Sequence, residues 1–107
     1  MPEQIKCILQ LYRKKLETIS GGHIKKVVLY GSYARGDFKE GSDIDVMILV
    51  DMEEFKEYED EVINLTYDFN LEQDTDIMPI VQSKAHFDYW KGSYMFYHNI
   101  SKEGVEL

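Results

Sequence analysis

The chain has 107 residues, 44% of them hydrophobic and 30% charged, a length and composition typical of one folded domain. Twelve Lys and Arg against 20 Asp and Glu give a formal net charge of −8, which excludes a surface-wide basic footprint for nucleic acid. The single cysteine excludes an intramolecular disulfide and a multi-cysteine zinc site. No apolar run is long enough to span a bilayer and the N-terminus lacks a signal-peptide pattern, so we expect a cytoplasmic protein without membrane contact.

The first half of the chain reads as a helix followed by two strands. Apolar residues at helical spacing predict an amphipathic helix over 3–20, ended by two glycines. A β-branched run predicts a buried strand over 26–30, and a longer apolar run predicts a second strand over 43–50. Between the strands lie the dipeptide Gly31-Ser32, a short helical turn and a polar loop.

The second half continues with a helix, a strand and two short helices. Acidic residues alternate with apolar ones at helical spacing over 53–72. A third strand is predicted over 75–81, where Pro79 indicates a sheet edge or a bulge. Two short helices follow, 84–91 capped by Ser83 and 94–102 capped by Ser93.

This order of elements predicts an α/β (α+β) fold, with a small mixed sheet of three to four strands and helices packed on it, in a single domain over 1–107. The helix over 53–72 is long enough to connect the second and third strands in parallel. The pairing of the first two strands stays open. The aromatic residues near the C-terminus are expected mainly in the core, with a docking surface as the alternative: Phe87, Tyr89, Trp90, Tyr94, Phe96 and Tyr97.

Charge is distributed unevenly along the chain. Residues 51–76 carry eleven carboxylates and one lysine, which is best explained by a solvated helix face. The basic residues Lys25, Lys26, Arg35 and Lys39 lie around the Gly-Ser turn. A local positive region on an acidic protein suits a small anionic ligand better than a nucleic-acid backbone.

The Gly-Ser turn has the chemistry of a phosphate site. A strand that ends in Gly31 lets a phosphate approach the main chain closely, Ser32 adds a hydroxyl donor, and Arg35 adds a fixed cation. Taken alone, Gly-Ser is also a common structural turn.

Two aspartates follow at the start of the second strand. Asp43 and Asp45 are two residues apart, so both point to one face with Cα atoms about 6.6 Å apart. Two like charges there repel each other unless a cation lies between them, and carboxylate oxygens suit Mg²⁺. The alternative, a solvated acidic strand entrance, is equally compatible with the pair alone.

Gly31-Ser32, ten further residues and Asp43-x-Asp45 together resemble the nucleotidyltransferase superfamily typified by DNA polymerase β. The stretch 31–36 with 42–46 is similar to its minimal branch. The resemblance implies transfer of a nucleoside monophosphate, AMP from ATP, with release of pyrophosphate. It assigns phosphate binding to Gly31, Ser32, Arg35 and Ser42, and two Mg²⁺ ions and catalysis to Asp43, Asp45 and a later aspartate. Asp76 is favoured for that third position over Asp74, which fits the preceding turn; Arg35 serves the departing pyrophosphate or a structural ion pair.

The resemblance also implies a partner. Larger relatives carry a further domain for the acceptor, whereas minimal members are often paired with a helical HEPN-type protein, and several act as antitoxins that adenylylate it. The leading hypothesis is therefore nucleotidyl transfer to such a protein, with homo-oligomers left open. Two alternatives remain: transfer to a small hydroxylated molecule such as an antibiotic, and a non-catalytic module that blocks a partner.

Overall fold

The computed structural model describes residues 2–107 as a four-stranded sheet with helices on both faces. In chain order the elements are α1 (Glu3–Ser20), β1 (Ile24–Tyr30), α2 (Ser32–Arg35), β2 (Ile44–Val50), α3 (Lys56–Gln73), β3 (Ile77–Ser83), α4 (Lys84–Trp90), α5 (Met95–Glu103) and β4 (Val105–Glu106). The mixed α+β fold predicted from the sequence is confirmed.

The sheet has the strand order β3-β2-β1-β4. As predicted, β2 and β3 are parallel and α3 connects them, whereas β1 is antiparallel to β2 and to β4. Tyr30 at the end of β1 therefore pairs with Asp45 near the start of β2. The Ile44 N–H donates to the Asp76 carbonyl at 2.9 Å, so β3 begins at the same end of the sheet as β2. The end of one strand and the beginnings of two others thus meet there.

The two faces of the sheet bury different helices. Alternate residues of β1, β2 and β3 pack against α1 and α3 on one face, while Val28, Met47 and Leu49 pack against α4 and α5 on the other. Every residue of β2 except Asp45 is buried, as expected for a central strand covered on both faces. Asp45 is therefore a charged residue at the end of the best-packed element.

Pro79 lies on an edge strand, as predicted. Residues along a strand alternate in the direction of their backbone groups, and Asp76 points its carbonyl toward β2. Ile77 and Pro79 consequently face outward. The Asn70 side chain hydrogen-bonds both outward-facing backbone groups of Ile77: it accepts from the N–H and donates to the carbonyl, at 3.0 Å each. The missing N–H of Pro79 therefore costs the sheet no hydrogen bond.

Element ends differ from the sequence prediction in several places. Strand β1 begins two residues early, and β4 was not predicted because two residues carry no periodicity. The Ser83 cap is confirmed, since its hydroxyl accepts from the His86 N–H. The Ser93 cap is wrong: α5 begins at Met95 after Tyr94, which makes no side-chain cap bond.

The C-terminal aromatic residues divide between core and surface. Phe87 and Tyr97 are buried, whereas Tyr89, Trp90, Tyr94 and Phe96 are exposed by 41% to 77%. Among residues 2–107, no helix combines the length and apolar character needed to cross a membrane.

Candidate active site

The Gly-Ser turn begins the connection from β1 to β2, at the end of the sheet where β1 ends and where β2 and β3 begin. Gly31 has φ 78° and ψ −155°, a combination that is accessible essentially only to glycine. Its carbonyl accepts from the Ala34 and Arg35 N–H groups, which begins the single turn of α2. Gly36, also at positive φ, ends that turn by donating to the Ser32 carbonyl at 2.9 Å.

Gly31 lies directly against Asp45. A Cβ atom on Gly31 would come within 2.3 Å of Asp45 Oδ2 and within 3.2 Å of its Cγ. Because real Cβ atoms do not approach other heavy atoms so closely, only glycine leaves room for the carboxylate in this position. The glycine of the turn and the second aspartate therefore form one structural unit.

Six of the seven predicted phosphate and metal residues line one open cavity of about 400 Å³. A larger groove, about 740 Å³, lies between α1 and β4 and contains none of them. The predicted residues in the first cavity are Gly31, Ser32, Arg35, Ser42, Asp43 and Asp45.

The surroundings of Asp45 disfavour its ionised form. Burial raises the pKa of its carboxyl group, the neighbouring charge of Asp43 raises it further, and Arg35 opposes both effects. A raised carboxyl pKa means that the surroundings disfavour the negative charge. Arg35, the one cation among the residues that line this cavity, already pairs with Asp37 and Glu103. Asp43 and Asp45 therefore fit a bound divalent cation, because Mg²⁺ prefers hard oxygen ligands.

The backbone of Asp76 is hydrogen-bonded to that of Ile44, between Asp43 and Asp45, but its side chain is not part of the cavity that they line. Asp76 is exposed and precedes the first residue of β3. Across the described residues 2–107, no three His, Cys, Asp or Glu side chains are arranged to hold a metal ion. Asp74 is the left-handed residue that ends α3, with φ 53°, so it belongs to the turn.

Arg35 and Ser42 make protein contacts as well as lining the cavity. Arg35 forms ion pairs with Asp37 (Nε to Oδ2, 3.3 Å) and Glu103 (Nη1 to Oε2, 3.8 Å). The Ser42 hydroxyl oxygen accepts from the Lys39 N–H at 2.8 Å. The structural ion pair left open for Arg35 is therefore present, and both side chains are oriented by neighbours.

Sequence reasoning did not assign the remaining wall of the cavity. It consists of Tyr30, Phe96, Asn99, Ile100 and Glu103. The last four have the spacing of one helical face, so the signal existed, but nothing local indicates what that face meets. Burial and then the charge of Asp45 raise the pKa of Tyr30 to about 12, which keeps its phenol neutral at physiological pH.

Comparison with known proteins identifies the family. Residues 9–100 match the nucleotidyltransferase domain. The chain belongs to this family. The motif and both aspartates of the cavity lie within the matched range.

Three relatives illustrate the similarity. Two "putative protein adenylyltransferases" of Methanocaldococcus jannaschii are 40% identical over 79 residues and 41% identical over 86 residues. These alignments cover 73% and 80% of this chain and 79% and 80% of the relatives. The crystal structure of a "putative nucleotidyltransferase" from Sulfolobus solfataricus shares the fold, with TM-score 0.53 and 20% identity over 99% of this chain and 86% of that one.

The ion pair between Glu103 and Arg35 leads to a first prediction. Glu103→Gln removes a negative charge from the cavity wall and one of the two ion pairs of Arg35, so we expect ATP affinity to rise about two- to fivefold, the range of an exposed ion pair. Equilibrium dialysis at low ionic strength measures the change.

Glu106→Gln is the matched control, because Glu106 of β4 pairs with Lys26 of β1 and does not line this cavity. Weaker ATP binding by Glu103→Gln would show instead that Glu103 holds Arg35 in its binding position, and unchanged binding would show that this ion pair does not affect ATP affinity.

Proposed function

We propose that this protein transfers AMP from ATP to a hydroxyl group of a partner protein, and that Asp43 and Asp45 hold the Mg²⁺ ions required. One observation supports the proposal most directly. Gly31, Ser32, Asp43 and Asp45 line a single cavity, and the Asp45 carboxylate occupies the space that a side chain on Gly31 would need. Membership of the nucleotidyltransferase family supports the reaction class. The names of the Methanocaldococcus relatives support a protein as the acceptor.

The cavity supplies the groups that such a transfer needs. Ser32 and Arg35 bind the β- and γ-phosphates at the turn that Gly31 begins. Ser42, held by Lys39, borders the same position. Divalent cations bound at the aspartates would neutralise the charge that develops on the phosphoryl oxygens.

The reaction is a displacement at the α-phosphorus. The acceptor oxygen forms a bond to that phosphorus, the bond from phosphorus to the bridging oxygen of the β-phosphate breaks, and pyrophosphate leaves with the bonding electrons. The proton of the acceptor hydroxyl passes to Asp76 in this proposal. Asp76 immediately precedes β3, and its carbonyl accepts from the N–H of Ile44, the residue after Asp43. Its side chain is exposed, so an incoming protein side chain is able to reach it.

The proposed acceptor is a helical HEPN-type protein that this enzyme inactivates as an antitoxin. Outside the cavity, exposed apolar side chains occur at Tyr89 and Trp90 of α4, at Tyr94 before α5, and at Met78 and Ile80 of β3. Such exposed side chains are compatible with a protein acceptor.

A labelling experiment tests this function. The protein is incubated with Mg²⁺, the product of the neighbouring gene, and ATP labelled at the α-phosphorus. We expect label on the neighbouring protein, no label when the γ-phosphorus carries it, and no transfer after chelation of the metal.

The two label positions separate AMP transfer from phosphorylation. Inhibition of the neighbouring protein without any label would contradict the proposal and favour a non-catalytic module. Label appearing only on an added small hydroxylated molecule would contradict the protein acceptor.

A further inference from the structure

We propose that the cavity-lining face of α5 is the nucleobase subsite, where Phe96 stacks on the base and Asn99 hydrogen-bonds its edge. This inference rests on the proposed function, because it takes the phosphates to lie at Gly31 and Ser32. Residues that bind the phosphates do not distinguish one base from another. The inference concerns how the protein selects its nucleotide.

The cavity has two chemically different sides. Ser32, Arg35, Asp43 and Asp45 make one side charged and polar, whereas Tyr30, Phe96, Asn99 and Ile100 make the other aromatic and uncharged. Glu103, the remaining α5 residue of the wall, is paired with Arg35 of the charged side. A nucleoside triphosphate has the same division between its phosphates and its flat, uncharged base. With the phosphates on the charged side, the base is directed to α5.

Phe96 has the position of a stacking residue. Its side chain is 41% exposed although it is a phenyl ring. It makes an edge-to-face contact with Tyr30, with ring centroids 5.7 Å apart and planes at 86°. The Tyr30–Phe96 pair is thus oriented from within the protein while part of Phe96 stays in contact with water. A planar base covering that surface would gain stacking and remove apolar area from water.

Asn99 is the free polar group on the same face. It lies one turn after Phe96, is exposed, and its amide makes no side-chain hydrogen bond within residues 2–107. An amide offers one acceptor and a donor side by side, which matches the N6 amino group and N7 of adenine. Guanine presents two acceptors, O6 and N7, at that edge, so one amide cannot satisfy both. The geometry predicts a preference for ATP.

The two residues have separable effects on nucleotide binding. Phe96→Leu removes stacking, so we expect ATP and GTP to bind about tenfold more weakly with the ratio of their affinities unchanged. Asn99→Ala removes edge recognition, so we expect the ATP-to-GTP affinity ratio to fall about tenfold. Core contacts of α5 come from Tyr97 and Ile100, which both variants keep.

Calorimetry with the α,β-methylene analogues of ATP and GTP, which cannot be transferred, measures both affinities in the presence of Mg²⁺. Ser101→Ala is the matched control on α5, because Ser101 is exposed and does not line the cavity. Circular dichroism verifies that each variant is folded.

The outcomes separate this inference from the proposed function. Equal affinity of the wild type for both analogues, or an unchanged ratio in Asn99→Ala, overturns the role of Asn99. Unchanged affinities in Phe96→Leu overturn the stacking role. Absence of any nucleotide binding by the wild type overturns the proposed function itself, and the subsite with it.

Discussion

Asp45→Asn is expected to reduce nucleotidyl transfer by roughly a hundredfold to a thousandfold, the loss typical of removing one group that stabilises charge in a transition state. The Asp45 carboxylate lies against the Gly31 turn. The other carboxylates of the cavity, Asp43 and Glu103, come from different positions and are not expected to replace it. Asp43→Asn is expected to cause a loss of the same order.

The same substitution is expected to leave the protein at least as stable as the wild type. Burial and Asp43 raise the pKa of Asp45 in the folded state. A group with a raised folded pKa favours folding only below its unfolded pKa, and this contribution is lost as pH rises through the folded value. Near pH 7 the Asp45 carboxylate therefore disfavours the fold, whereas asparagine carries no charge.

Thermal melts and transfer assays on the same preparations test both statements. The melting temperature of Asp45→Asn should equal or exceed that of the wild type near pH 7, and the difference should vanish in acid. Mg²⁺ should raise the melting temperature of the wild type more than that of the variant, because a ligand stabilises only the state that binds it.

Asp68→Asn is the matched control, since Asp68 is an exposed carboxylate on α3, which packs on the opposite face of the sheet. A variant at Asp45 that keeps wild-type transfer would remove Asp45 from the site. A variant that loses transfer only because it unfolds would leave the electrostatic explanation without support.

Local sequence patterns were sufficient to predict which residues meet in one wall of this cavity. A two-residue spacing on a strand places Asp43 and Asp45 on one face regardless of what surrounds them. A strand that ends in Gly31-Ser32 turns back toward the next strand through a short loop. The six predicted residues in the cavity all come from this continuous stretch of chain, whose geometry depends little on the rest of the molecule.

The other wall depends on contacts between residues distant in sequence. Phe96 and Asn99 reach the cavity because Tyr97 and Ile100 pack α5 against Met47 and Leu49, and periodicity alone does not choose that partner. For Asp76, too, the sequence predicts only part of the arrangement. Its place at the start of β3 follows from the sequence, but the direction of its side chain relative to Asp43 does not.

Gly31→Ala is expected to reduce transfer by roughly a hundredfold or more, because the new methyl group and Asp45 Oδ2 cannot occupy adjacent positions 2.3 Å apart. Either the Asp45 side chain rotates away from the cavity or the turn moves. Alanine is also strained at φ 78° and ψ −155°, so we expect the free energy of unfolding to fall by about 1–3 kcal/mol.

Gly22→Ala separates strain from collision. Gly22 has φ 81°, close to that of Gly31, but a Cβ there meets no atom within 4 Å. We expect Gly22→Ala to lose about 1–2 kcal/mol of stability while keeping full transfer per folded molecule. Denaturant unfolding gives the folded fraction, and initial rates are compared at a temperature where both variants are folded. If Gly31→Ala then transfers as fast as Gly22→Ala, the contact between the turn and Asp45 is a packing detail and does not form the site.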